Sequence, residues 1–415
     1  MVTKSTKYFL AVCGVVLLSP KLLLSTGFDN RFLPFFPRTV IQTVQERSYL
    51  KVEPFFMSGD NAHGSADKKK KGIPEILGDF DLRTLAYASE AVGNTNQLRP
   101  EWQTKFDILW NMHGKIQGQG VKFAGEYAFY NLSCGFSTAF MHLSSNQKFI
   151  LPRKTASDMS LTAADEVELD DDRRQTLQDL GFTSSEWSDS TLTDTEVFLR
   201  YGWVKDYVLK CRQAGCGVKA GLILHSSKQR DPKKPASIPF GGEGMLGLFW
   251  GLDGAFEIKE DLWVSCMVNI SSRLDKVQVR RLPVRGESEL FGATEGAVLI
   301  DPGVTLLFSP AVTFKKIRDG FGFQLQYVLN THSGDVWQDE RADKSIAVDF
   351  SNIYKRSKWS SEYLLCNVFY DYGTLSNTKK ARPLISFSWD IPIKFIKQRD
   401  SAKTHRVGVS VEFRF

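Results

Sequence analysis

No stretch of this sequence is apolar over the roughly 20 residues that a membrane helix needs, and a mean hydropathy of -0.23 argues against a bundle of such helices. Cysteine is also scarce, at six in 415 residues. The one close pair, Cys211 and Cys216, has no second pair and no histidine cluster near it, so its spacing is not that of a zinc site and at most fits a small loop disulfide. Charge of one sign is not in excess either. The 53 basic and 47 acidic residues leave a net charge of +6 with the two signs interspersed, which points away from nucleic acid as a partner. No tandem repeat is present beyond a recurring hairpin.

Catalytic signatures are missing as well. His142, His225 and His332 are followed at once or nearly so by serines, but nothing fixes a third partner or an oxyanion hole, so the chain is not expected to be a hydrolase or another enzyme. Gly241-Gly242-Glu243-Gly244 lacks the strand-to-helix setting and the Lys-Ser/Thr ending of a phosphate-binding loop and reads as a turn. Asp170-Asp171-Asp172 reads as a solvated run opening a helix, in preference to a calcium site. No cofactor or metal is expected.

Aromatic residues are plentiful. Thirty Phe, nine Trp and twelve Tyr make up 12% of the chain, the kind of surplus that interfacial girdles consume. At the N-terminus Lys4 and Lys7 precede the apolar run Tyr8 to Leu18, and Pro20 and Lys21 interrupt it before Leu22 to Leu24. This is a secretory signal in form and too short to span a membrane. Small residues at Ser25, Thr26 and Gly27 offer a cleavage region, so 1–27 reads as signal peptide and 28–45 as an N-terminal periplasmic segment.

Period-two alternation dominates the rest. At the C-terminus Val407, Val409, Val411, Phe413 and Phe415 alternate with Gly408, Ser410, Glu412 and Arg414, which puts the two sets on opposite faces of a strand. Ile385, Phe387, Trp389, Ile391, Ile393 and Phe395 alternate with Ser386, Ser388, Asp390, Pro392 and Lys394 over a length that crosses a membrane. Hairpins are legible over 304–329 and over 246–270, and weaker strands over 48–57, 115–129, 135–143, 217–225 and 361–372. The count is about eleven. Single-chain barrels take even strand numbers, so one strand is missing, and Asp275 to Val284 is the place to look for it. The fold class is therefore all-β: a transmembrane antiparallel up-and-down β-barrel of about 12 strands, within a range of 10–14, occupying 46–415 and carrying helical loop insertions.

Those insertions fall near 58–111, 157–213, 271–303 and 331–360. The first holds the run Lys68 to Lys71 and a helix-like Pro74 to Val92. In the second, Leu177 and Leu180, and then Val197, Leu199, Val204, Val208 and Leu209, follow a helical period. The charged residues on the polar faces of the strands, Asp253, Glu257, Lys315, Asp390, Lys394, Glu412 and Arg414, are the expected lumen lining. Arg280 and Arg281 are expected on a loop that folds inward. Rings of charge of this kind set pore selectivity, or pair with one another to fill the interior.

With its signal-like start, its alternating hairpins and its ending Val-Glu-Phe-Arg-Phe, the chain resembles bacterial outer-membrane barrels, porin-like or fatty-acid-transporter-like, over roughly 46–415. The resemblance implies residence in the outer membrane of a Gram-negative-type bacterium, with lipid and lipopolysaccharide as surroundings. It also implies recognition by barrel-assembly machinery through Val409, Val411, Phe413 and Phe415. Long insertions and basic loops depart from general porins. The function expected is a channel or transporter for small solutes or a hydrophobic substrate, with selectivity set by lumen charges and inward loops. The alternative is a non-conducting structural or surface-interaction barrel plugged by its helical insertions.

Overall fold

The computed structural model describes residues 29–38, 48–64, 70–105, 107–206, 211–372, 382–396 and 398–415. The expected signal peptide and its cleavage region lie outside these residues.

Twelve strands close into one antiparallel barrel. In chain order they are β1 Tyr49–Gly59, β2 Leu109–Phe129, β3 Leu132–Ile150, β4 Thr195–Asp206, β5 Gln213–Leu224, β6 Gly247–Lys259, β7 Leu262–Arg273, β8 Thr305–Arg318, β9 Phe321–His332, β10 Trp359–Asp371, β11 Arg382–Ile393 and β12 His405–Arg414. Each pairs with the next, and β12 returns to β1 with Tyr49 opposite Arg414 and Phe56 opposite Val407. This up-and-down closure leaves no free edge, which is the condition for spanning a membrane with strands.

The connections are sharply asymmetric. At one end lie both ends of the barrel chain, the two-residue turns 130–131, 260–261 and 319–320, and the facing ends of β4 and β5 and of β10 and β11. All the long connections, 60–108, 151–194, 225–246, 274–304, 333–358 and 394–404, lie at the other end. Short periplasmic turns and long external loops are the pattern of outer-membrane barrels. The outward faces fit it: Leu50, Phe56, Phe123, Tyr127, Leu199, Tyr201, Leu252, Phe308, Phe387, Trp389 and Phe413 are all exposed.

The missing strand is not at Asp275 to Val284. Lys276–Leu282 is a strand, but it pairs with Thr294–Asp301, and that with Val336–Asp339, in a separate three-stranded sheet. The twelfth wall strand is β4, inside the stretch read as helical. Within 157–213 the helix Ala163–Asp179 forms as expected and is closed by a Thr162–Asp165 capping box. From Thr195 onward, however, Val197, Leu199, Tyr201 and Trp203 form an outward row of period two, and pairing with β3 and β5 overrides the helical pattern. The helix-like Pro74 to Val92 splits into a 3-10 turn, Pro74–Leu77, and the helix Leu82–Ala91. Cys211 and Cys216 are not joined in a disulfide.

The long connections build one cap. Phe80, Phe149, Phe182 and Phe291 come from different segments, and their rings meet at 4.9 to 5.9 Å. Around them Leu82, Leu85, Ile108, Met112, Met141, Leu143 and Leu169 are fully buried. This core resembles that of a soluble domain and sits on the inner face of the upper halves of β2 and β3.

Candidate functional site

The polar faces of the strands point into the barrel, and its interior has two halves. The half nearer the short turns holds a cavity of about 770 Å³, within the range of small-molecule sites. Its wall carries Lys51, Lys122, Arg200, Lys219, Lys315 and Arg414 beside Glu126, Glu196, Asp253, Glu257, Asp371 and Glu412. Several of these are neutralised in place. Arg200 on β4 grips Asp253 on β6 through two hydrogen bonds of 2.9 and 2.6 Å. It reaches over β5 only because Gly217 stands there: a Cβ at that position would come within 2.5 Å of the guanidinium. Arg414 bonds Glu412 at 2.7 Å and lies 3.8 Å from Asp371. Lys219 sits 3.8 Å from the Phe198 ring centre and Lys315 4.7 Å from that of Trp263, both cation–π contacts.

The roof of this cavity is the N-terminal segment. Residues 29–38, expected on the periplasmic side, instead run inside the barrel up to the cap. Arg38 bonds Asp390 at 2.8 Å, and Gln326 donates to the Pro37 carbonyl at 3.1 Å. Phe36 is buried against Tyr363, 4.8 Å between ring centres, and against Leu307, Val328 and Leu365. Arg406 donates to the Pro34 carbonyl and binds both Asp390, at 3.2 Å, and Glu53. Higher up, Thr404 donates to the Phe32 carbonyl at 2.7 Å, and the Ala402 amide to that of Arg31 at 2.9 Å.

The upper end of this strap is latched. Asp29 pairs with Arg273 at 2.5 Å, and the same guanidinium lies 2.6 Å from Asp194. Asp194 also accepts from the Ser227 hydroxyl and from the Gly242 amide. Burial alone would raise the Asp194 pKa, but Arg273 and these donors outweigh it and hold the carboxyl below its ordinary range. Nearby, Glu289 goes the other way: burial raises it, and Arg31 at 3.5 Å offsets this only in part.

The structure thus separates the residues expected to work together. Asp253, Glu257, Lys315, Glu412 and Arg414 line the open cavity. Asp390 is buried in the roof. Lys394 is not in the lumen: it follows the end of β11 and is exposed, because the period-two row was carried past Ile393, where the strand ends. Arg280 and Arg281 do not fold into the pore. They are buried in the cap, where Arg280 pairs with Glu243 and Arg281 lies 4.3 Å from the Phe182 ring centre. Burial lowers the pKa of both. Val409, Phe413 and Phe415 are exposed on the outward face. Arg38, Glu53, Lys122, Arg200, Lys219 and Arg406 were not foreseen. Arg200 could have been found from the Val197 to Trp203 alternation, and the inward side of Glu53, Lys122, Lys219 and Arg406 from parity along their strands; Arg38, and which partners these charges meet, needed the closed barrel.

A closed barrel with an apolar outer belt and a charged interior decides the class. The chain is an outer-membrane-type β-barrel. No family model and no curated protein matches it. Among solved structures it is similar to an outer membrane channel from Pseudomonas putida F1, at 8% identity and TM-score 0.48, covering 91% of this chain and 100% of that one. A Pseudomonas aeruginosa FadL homologue follows at 8% identity and TM-score 0.32, covering 90% of each. The Pseudomonas putida toluene transporter TodX matches at 10% identity and TM-score 0.28, covering 89% of each.

Proposed function

We propose that this barrel is a channel or transporter of the Gram-negative outer membrane that admits small polar solutes, with its inner half an open vestibule and its outer half closed by the N-terminal strap and the cap. The observation that carries this reading is the cavity of about 770 Å³ walled by charges of both signs. Such a lining holds water and tolerates solutes of either charge, whereas a site for a hydrophobic molecule is predominantly apolar. Passage requires the strap to move. A single chain segment crossing the lumen is the part that can leave without breaking the wall, which is held by complete strand pairing. Asp253, Glu257, Lys315, Glu412 and Arg414 are the proposed selectivity residues, with Arg200 and Lys219 beside them.

The buried roof also favours a second reading, a permanently plugged barrel that serves the cell surface. Single-channel conductance in a planar bilayer separates the two, with folding checked by the different gel mobility of boiled and unboiled samples. Removal of residues 29–38 should convert a barrel with rare or small openings into one with steady steps. A correctly folded deletion that stays silent overturns the channel reading in favour of the plugged one.

A further inference from the structure

A carboxylate on the lipid-facing side of a barrel strand is costly unless every acceptor is filled. Glu362 on β10 is one. It lies on the outward row with Leu364, Cys366, Val368 and Tyr370, yet none of its surface is exposed. From Tyr370 at the lower girdle, eight residues at about 3.3 Å each with a tilt of about 40° raise it ~20 Å, to the outer edge of the apolar belt. What covers it is the turn that follows β11. The backbone amides of Phe395 and Ile396 both donate to Glu362, the latter at 2.9 Å, and the Tyr327 hydroxyl lies beside it.

The clamp has a consequence for the side chains it holds. With their backbone fixed, Phe395 and Ile396 project outward, 79% and 66% exposed, and the Phe395 ring meets Tyr327 edge-on at 6.3 Å. The neighbouring Lys394 is exposed. The ten residues from Lys394 to Lys403 contain Lys394, Lys397, Arg399 and Lys403 against the single acid Asp400. Lys403 follows a two-residue strand paired with Ala62 and His63, and its amide donates to the Asn61 carbonyl at 2.9 Å; burial, with the charges of Lys403 and Lys394, lowers the His63 pKa to about 3. Apolar side chains just inside the belt edge, with cations just above them, complement a molecule that has acyl chains below and phosphate above.

We propose that the Lys394-Phe395-Ile396 turn is a docking site for a phosphorylated lipid of the outer leaflet, of the lipopolysaccharide type: Phe395 and Ile396 enter the acyl layer, and Lys394 with Lys403 takes the headgroup phosphate. Glu362 is a positioning residue that holds the turn against the wall. The site does not depend on whether the lumen conducts.

The test uses the refolded full-length barrel in detergent and native mass spectrometry with bisphosphorylated lipid A, its dephosphorylated form, and inorganic phosphate as competitor. The bisphosphorylated lipid should be retained at least about tenfold better than the dephosphorylated one, and Lys394→Glu with Lys403→Glu should lose that preference. Phe395→Ser with Ile396→Ser should weaken both lipids, and Lys228→Glu, elsewhere on the cap, should change neither. Each variant is first shown to fold by gel mobility. Equal retention of the two lipids, or a charge-reversed variant that binds like the parent, overturns the proposal. Displacement by inorganic phosphate alone overturns the assignment to a lipid.

Discussion

The lower and upper halves of β2 are one continuous strand with opposite chemistry. Near the short turns its outward residues are Val121, Phe123, Tyr127 and Phe129, and its inward ones include Lys122 and Glu126. Above Gly120 the outward residues are Gln119, Gln117, Lys115, His113 and Asn111, and the buried inward ones include Ile116, Met112 and Trp110. β3 inverts in the same way, from outward Phe136 and Phe140 to outward His142, Asn146 and Lys148, with Met141 and Leu143 buried inside. Below the inversion the solvent outside is lipid and the inside is wet. Above it, water is outside and the cap fills the inside. The backbone does not change at the boundary; only which face is allowed to be apolar does.

Four perturbations sharpen that contrast. The largest effect should come from the latch at the top of the strap. Arg273→Ala leaves Asp29 and Asp194 buried without their cation, at a cost of ~3–5 kcal/mol. It should raise hydrogen exchange in residues 29–38 and increase channel opening while the lower wall stays protected. If exchange there is unchanged, the contacts below the latch, those of Phe36, Arg38 and Arg406 among them, hold the strap without it.

Next comes a comparison on one row of one strand. Phe123→Arg faces lipid and should destabilise the folded barrel by ~2–4 kcal/mol, whereas His113→Arg, further along the same outward row, should stay within about 0.5 kcal/mol. Urea unfolding in lipid vesicles measures both. Equal costs would mean that the lipid boundary does not lie at Gly120.

A milder effect follows from pH. The carboxyl of Asp194 is depressed in the folded state, so its contribution is fully present above the ordinary carboxylate pKa of about 4 and is lost as pH falls below that value. Labelling of a cysteine introduced in the strap should speed up on acidification through this window, and Asp194→Asn should remove that dependence. The smallest effect is expected from Arg200→Gln, which frees Asp253 in the vestibule. It should shift reversal potentials toward cation preference in the strap-deleted channel with little change in stability. A shift toward anions would show that the neighbouring lysines govern that region.

Much of the wall was legible because period two is a local property. The hairpins β6–β7 and β8–β9 and the closing pair β11–β12 were all visible as rows of apolar residues, and an even count of twelve followed from the need to close. β2 and β3 were read only over 115–129 and 135–143, truncated close to where the polarity inverts, because an outward row was recognised by being apolar. β4 was lost to a coincidence: Val197, Leu199, Val204, Val208 and Leu209 satisfy a helical period as well, and no neighbour in sequence decides between them.

By itself, then, the sequence determined the alternation, the lipid-facing row of each clear strand, and the lumen side of Asp253, Glu257, Lys315, Glu412 and Arg414, since face follows from parity along a strand. Only the tertiary structure decided what fills the barrel. The strap's partners Asp390, Arg406 and Arg273 are hundreds of residues away from it in sequence, and the cap core joins side chains from several insertions. Contacts between such distant residues leave no periodic trace, because they form only after the wall has closed around them.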